Sequence, residues 1–178
     1  LAGYPDITLE DIKNFRQLNS KTAGHPEYGH IRGIETTTGP LGQGLGNAVG
    51  MAIAEEFIGT RWGSDLCDHY TYVIAGDGCL MEGISQEVIS LAGKLKLKKL
   101  IVIWDDNGIT IDGGVDLSCT TDQISRFESS GWSTFSCDAH NPIEIDQAIS
   151  SAKKDNRPSL IAAKSIIGYG STAKQGTS

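Results

Sequence analysis

The sequence lacks several things that would assign it to other classes. No apolar run approaches the roughly 20 residues needed to cross a bilayer, which excludes a membrane-spanning helix, and the start shows no signal-like pattern. Positive charge is scarce. Against 22 Asp and Glu there are only 15 Lys and Arg, a net charge of -7, and the lysines form no long stripe. That balance argues against a nucleic-acid surface. The four cysteines (Cys67, Cys79, Cys119, Cys137) are widely scattered, so they form neither a metal knuckle nor a disulfide framework. Reduced thiols in a cytoplasmic protein are expected. There is no internal repeat and no low-complexity block. An initiating Met is missing too, and a trimmed start is expected. The 178 residues suit one domain, large enough to bury roughly 70% of its unfolded surface.

What is present centres on the stretch Val73 to Asp112. A β-branched apolar run, Tyr70 to Ala75, predicts a buried strand and ends at a bend, Gly76-Asp77-Gly78. A helix is predicted from Met81 to Leu95, with Ile84, Val88, Leu91 and Leu95 as its apolar positions. A second buried strand, Leu100 to Trp104, runs into Asp105-Asp106-Asn107-Gly108. This is a βαβ unit, and ligands of open α/β sheets sit at the edge where its strands end. The chemistry suits a hard cation holding a phosphate. Mg2+ takes oxygen ligands and leaves several of its positions to phosphate and water. Asp77 offers a charged oxygen, the Asn107 amide a neutral one, and Gly78 leaves room for a diphosphate beside the backbone. The following helix would aim free N–H groups at the same place. Each fragment alone reads as a simple turn; the pair at adjacent strand ends does not.

The remaining segments surround that unit. Thr8 to Asn19 predicts an amphipathic helix, capped by Thr8 with Asp11 and packed through Leu9, Ile12, Phe15 and Leu18. Ser20 to Gly46 is a long Gly-, Pro- and Thr-rich loop, a kind that is usually functional or disordered. Gly44 to Phe57 predicts a helix with small residues along one side. Its Gly42-x-Gly44-x-Gly46 opening fits a dinucleotide fingerprint poorly, because no strand precedes it. Helices at Asp122–Ser129 and Pro142–Lys153 alternate with strands at Trp132–Cys137 and Ser159–Ile166. The alternation predicts an α/β fold, a parallel sheet with helices on both faces. The tail from Gly168 is turn-rich.

Gly76-Asp77-Gly78, then twenty-seven residues, then Asp106-Asn107, resembles the thiamine diphosphate motif of thiamine enzymes. The words GDGCLMEGISQEVISLAG, DDNGITIDG, GHPE and TTTGPLGQG resemble the transketolase family specifically, along essentially the whole chain. The resemblance implies the thiamine-diphosphate-binding fold and assigns residues. Asp77, Asn107 and the Ile109 carbonyl would hold Mg2+ (Ca2+ or Mn2+ substituting). Gly39, Pro40, Leu41, Gly76, Gly78 and Asn107 would contact thiamine diphosphate. His25, in the GHPE word, would face the substrate as the catalytic histidine. Glu82 would join an acidic network at a subunit interface. His30, His69 and His140 match no role.

The same resemblance implies transfer of a two-carbon ketol unit from a ketose phosphate to an aldose phosphate, a step of the pentose phosphate pathway. It implies that residues 1–178 are a single diphosphate-binding domain whose first portion, pyrimidine domain and C-terminal domain are absent. Activation of the cofactor would need a glutamate from the pyrimidine domain, so a homodimer or a partner chain is expected, with no nucleic acid or membrane. Dihydroxyacetone synthase and deoxyxylulose phosphate synthase are the nearest enzyme alternatives. The alternative of another class is a non-catalytic cofactor-binding subunit, or half of a split thiamine enzyme. A flavodoxin-like domain with coincidental loops is the plainest reading.

Overall fold

A computed structural model of the chain describes residues 3–111 and 113–177; Asp112, the last residue of the central stretch, lies outside them. Four strands, β1 (Thr71–Gly76), β2 (Leu100–Asp106), β5 (Ser133–Asp138) and β6 (Ser159–Lys164), form one sheet in the order β1-β2-β6-β5, with every pair parallel. Between β2 and β5, a two-residue ribbon pairs β3 (Ile109–Thr110) with β4 (Gly113–Gly114). The parallel register brings all four strand carboxyl ends to one edge. Gly76 stands beside Asp105, Asp106 beside Lys164, and Lys164 beside Asp138.

Alternation along the strands divides the core in two. Leu100, Val102 and Trp104 of β2, with Leu160 and Ala162 of β6, face helices α2 (Gln43–Trp62), α4 (Gly83–Leu95) and α5 (Gln123–Ser129). Ile101, Ile161 and Ala163 face α6 (Pro142–Ala152). Helices therefore cover both faces, as the alternating pattern predicts, but unequally. On β1, Tyr72 and Ile74 are exposed.

Two helices differ from the expectation in instructive ways. The capping box of Thr8 and Asp11 forms, yet α1 runs only over Leu9–Lys13. Arg16 and Asn19 take left-handed backbone, at φ 65° and 63°, which stops the helix. Leu9, Ile12, Phe15 and Leu18 remain exposed rather than packed. A cap starts a helix, but a short one persists only where tertiary packing holds it. The central helix is in fact two. The turn α3 (Asp77–Met81) opens at the bend itself, the chain extends at Glu82 (ψ 145°), and α4 begins at Gly83. The buried stripe of α4 is Ser85, Ile89, Ala92 and Gly93, whereas Ile84, Leu91 and Leu95 are exposed. Small side chains fill the buried positions where α4 packs on α2 and on the chain after α5.

The stripe predicted on α2 divides in the same manner. Ala48 and Ala52 are buried, while Gly50 and Ala54 are exposed. Beside it, Glu55 is buried and pairs with Lys99 Nζ at 2.6 Å, and Lys99 also bridges to Asp68 at 2.6 Å. These two carboxylates hold the ammonium charged well above the ordinary lysine range. The bridge ties α2 to the start of β2.

The tightest helix contact is at Gly93, where an added Cβ would collide with the Ser130 carbonyl oxygen and crowd the Trp132 ring. Trp132 is itself fixed, donating Nε1–H to the Ile89 carbonyl at 2.8 Å and meeting Phe127 edge-on. Backbone rather than a flexible tip blocks the space, so Gly93→Ala is expected to destabilise the chain by about 3 kcal/mol. Urea unfolding checks this, and an unchanged midpoint would show that α4 and α5 are free to part.

Candidate cofactor cleft

The carboxyl edge between β1 and β2 holds a cleft of about 580 Å³. It is lined by Leu41, Gly76, Asp77, Gly78, Asn107 and Ile109, together with Glu82, Thr110, Ser118 and Ile167. Seven of the residues singled out in the sequence, Glu82 included, thus meet at one place.

Asp77 is the first residue of α3 and is 6% exposed. Its Oδ1 accepts the Trp104 Nε1–H at 3.1 Å. Its Oδ2 is buried and makes no hydrogen bond, while the Gly108 backbone N–H acts on the carboxylate to lower its pKa. Burial pushes this carboxyl above the usual carboxylate range. The Trp104 N–H opposes that, and the Asp106 charge adds to it. A carboxylate oxygen without a partner in a buried place costs free energy unless something cationic meets it.

Asn107 is held at both ends. Its Nδ2 donates to Asp105 Oδ2 at 3.0 Å and its Oδ1 accepts the Ile109 N–H at 2.9 Å. The Asp105 carboxylate also accepts the Ser165 hydroxyl. An amide oxygen has two lone pairs, so one remains on Asn107 for a further ligand. Among the described residues no group of three or more His, Cys, Asp or Glu converges on a metal position. The donors here are one carboxylate, one amide oxygen and backbone, which suits a hard cation completed by phosphate and water. The glycines fit the same occupant. A Cβ at Gly76 would meet nothing within 4 Å, so protein packing does not require glycine there. A Cβ at Gly78 would come within 3.1 Å of Leu41 Cδ1.

The other expected residues lie nearby but apart. Gly39 and Pro40 line a second cavity of about 510 Å³ against α2 and β1, and Leu41 and Cys79 line both. His25 is exposed and lines neither cleft; its ring packs on Gly39, where a Cβ would come within 2.8 Å of Cγ. Glu82 lines the cleft and makes no side-chain cap to α4. Sequence reasoning missed Trp104, Asp105, Ser165 and Ile167. Asp105 and Trp104 stood in plain view as strand-end residues, but only the pairing of β2 with its neighbours aims them at the site.

A family model described as the thiamine diphosphate binding domain of transketolase matches residues 1–178. The transketolase of Cereibacter sphaeroides is 59% identical over 176 residues, 99% of this chain and 27% of that protein. That of Rhodobacter capsulatus is 59% identical over 174 residues, 98% and 26%. Among solved structures, transketolase from Campylobacter jejuni superimposes with a TM-score of 0.91 at 48% identity, covering 96% of this chain and 27% of that one. A Pichia stipitis transketolase complexed with sedoheptulose-7-phosphate gives 0.89 at 51%, covering 96% and 26%. The chain spans about a quarter of the length of these relatives.

The strain at Asp77 predicts a measurable trade. Its folded carboxyl titrates above the ordinary 3.8, so the folded state binds the extra proton and loses stability as pH rises through that window. Asp77→Asn keeps the acceptor for Trp104 and removes the charge. It is expected to stabilise the ligand-free chain by about 1 kcal/mol at neutral pH, with the gain vanishing once pH falls below 3.8, where the unfolded carboxyl is protonated too. Thermal unfolding of both forms across pH checks it; a less stable variant at neutral pH would contradict it.

Proposed function

The chain belongs to the transketolase family, through its thiamine diphosphate binding domain, and from that premise we propose that residues 1–178 form one diphosphate-binding domain of a Mg2+-dependent transketolase. The observation that carries this reading is the buried, unpartnered Asp77 Oδ2 in a cleft at the carboxyl edge. Asp77 and Asn107 hold Mg2+, with Ca2+ or Mn2+ as substitutes, and the Ile109 carbonyl is the third protein ligand. Gly76 and Gly78 leave the space a diphosphate occupies, while Gly39, Pro40 and Leu41 carry the loop that faces the cofactor. Thiamine diphosphate, when bound, supplies the carbanion chemistry that moves a two-carbon ketol unit between sugar phosphates. His25, exposed on that loop, orients the ketose.

A second reading, a cofactor-binding part that needs a partner chain, draws on β1. Its Tyr72 and Ile74 are 46% and 75% exposed on the sheet face that α6 leaves bare. Both readings place the pyrimidine-binding portion elsewhere, in a longer polypeptide or in a dimer partner, and both place the protein in the cytoplasm. No helix among the described residues is long and apolar enough to cross a membrane.

Calorimetric titration of thiamine diphosphate with and without Mg2+ tests the site. The expected result is Mg2+-dependent binding by the chain, weakened by about tenfold or more in Asp77→Asn, because the charge-assisted contact is lost. Little ketol transfer is expected from the chain by itself. Equal binding by both proteins would remove Asp77 from the metal site. Binding by neither would favour the second reading.

A further inference from the structure

His140 has no part in the proposed reaction, yet it is the residue on which the last segment of the chain rests. After β6 the backbone crosses the carboxyl edge of the sheet. Ser165 is fixed first, its N–H donating to the Asp106 carbonyl at 3.3 Å and its hydroxyl to Asp105. The next residue, Ile166, donates its N–H to His140 Nε2 at 3.1 Å. The imidazole then stacks on the Tyr169 ring, with centroids 3.7 Å apart and planes 20° from parallel. Between these two contacts lies Ile167, which lines the cofactor cleft. Its carbonyl accepts the Gly176 N–H at 2.8 Å, so the position of Ile167 is carried into the tail as well.

His140 is in turn held rigidly from the other side. It follows β5, its own N–H donates to Asp138 Oδ1 at 2.8 Å, and Ala139 N–H donates to the Lys164 carbonyl at 2.8 Å. The ring therefore stands at the carboxyl end of β5, beside β6, at the one place from which it reaches the backbone leaving β6. We propose that His140 is a positioning residue for the cofactor cleft: as a neutral imidazole it latches Ile166 and Tyr169, and thereby sets Ile167 as a wall of the cleft.

An imidazole accepts a hydrogen bond only through an unprotonated nitrogen. Since Nε2 is the acceptor here, the ring proton is on Nδ1, and a second proton converts the acceptor into a donor facing the Ile166 N–H. The latch therefore depends on an acceptor atom at the place where Nε2 stands. The titratable groups around it are Asp138 and Glu144 on the β5–α6 side and Lys164 and Tyr169 on the β6 and tail side. Glu144 accepts the Asp138 N–H at 2.9 Å and the Asn141 amide at 2.8 Å, and the Lys164 ammonium pairs with Asp106 at 2.6 Å. None of these replaces Nε2 as the partner of the Ile166 N–H.

The role in the cleft rests on the cofactor site proposed above, whereas the latch itself can be read without ligand. The test follows hydrogen-exchange protection of the Ile166 amide in the 178-residue chain, with thiamine diphosphate and Mg2+ affinity measured in parallel by calorimetry. Three proteins are compared: the unaltered chain, His140→Phe, which keeps a ring against Tyr169 without an acceptor, and His140→Gln, which offers an acceptor that does not titrate. At about pH 8 the unaltered chain and His140→Gln should protect Ile166 about fivefold more than His140→Phe. Cofactor affinity should follow the same order, weaker by about fivefold wherever protection is lost. Equal protection in His140→Phe and the unaltered chain would overturn the latch. Lost protection with unchanged affinity would overturn its role in the cleft. If none of the three binds cofactor, the chain by itself follows the second reading above, and the claim that His140 positions Ile167 for the cofactor fails for it, while the latch is still decided by the protection of Ile166. Should His140→Phe not fold, His140→Ala takes its place as the acceptor-free variant, with the same outcomes.

Discussion

A carboxylate buried without a partner is the constraint on which this structure turns. Asp77 is held in place by Trp104 and covered by the opening of α3, and one of its oxygens is left with nothing to bond. A chain under selection only for stability would replace such a group, since removing a buried lone charge usually gains free energy. Its place at the strand edge leaves that oxygen facing the cleft region, the observation on which the proposed metal site rests. The glycines at 76 and 78, the amide of Asn107 and the five-residue turn of α3 all keep the same volume open.

The second shared feature is that all four strands end at that edge and each contributes something different there. β1 delivers the carboxylate. β2 delivers Asn107 and, through Asp105, the group that orients it. β6 delivers Ser165 onto the same Asp105, so the amide of Asn107 and the departing backbone are joined through one carboxylate. β5 delivers His140 onto Ile166. A parallel sheet makes this possible because its register puts every carboxyl end on one side, whatever the order of the strands in the sequence. Family membership accounts for the use of the edge, and the sheet geometry accounts for how four distant segments reach it.

Much of this was legible in the residues. The apolar runs gave four strands within one or two residues of their observed ends, and Asp122 and Pro142 mark their helix starts as expected. Gly-Asp-Gly and Asp-Asn-Gly stand at the ends of adjacent strands, and their residues line the cleft. The errors came where local pattern met tertiary packing. Ile84, Leu91 and Leu95 carry a helical apolar period, but α4 packs through Ser85, Ile89, Ala92 and Gly93 instead, with Gly93 against the Ser130 carbonyl and the Trp132 ring. Leu9 to Leu18 has the period of a helix and only five helical residues, because nothing packs on its apolar side strongly enough to extend it past Arg16.

The sequence by itself determined the fold class, the parallel order of secondary structure and which oxygen-bearing side chains stand at the strand ends. These follow from chain-local physics: side-chain period, turn chemistry and the oxygen donors that follow each strand. Tertiary structure alone decided which of those donors are free. That Asp77 keeps one oxygen bare, that Asn107 is aimed by Asp105, and that His140 accepts a backbone N–H twenty-six residues away all depend on which strands lie side by side. Hydrogen bonds and burial are set by neighbours in space, and the strand order β1-β2-β6-β5 makes neighbours of residues that no sequence window contains.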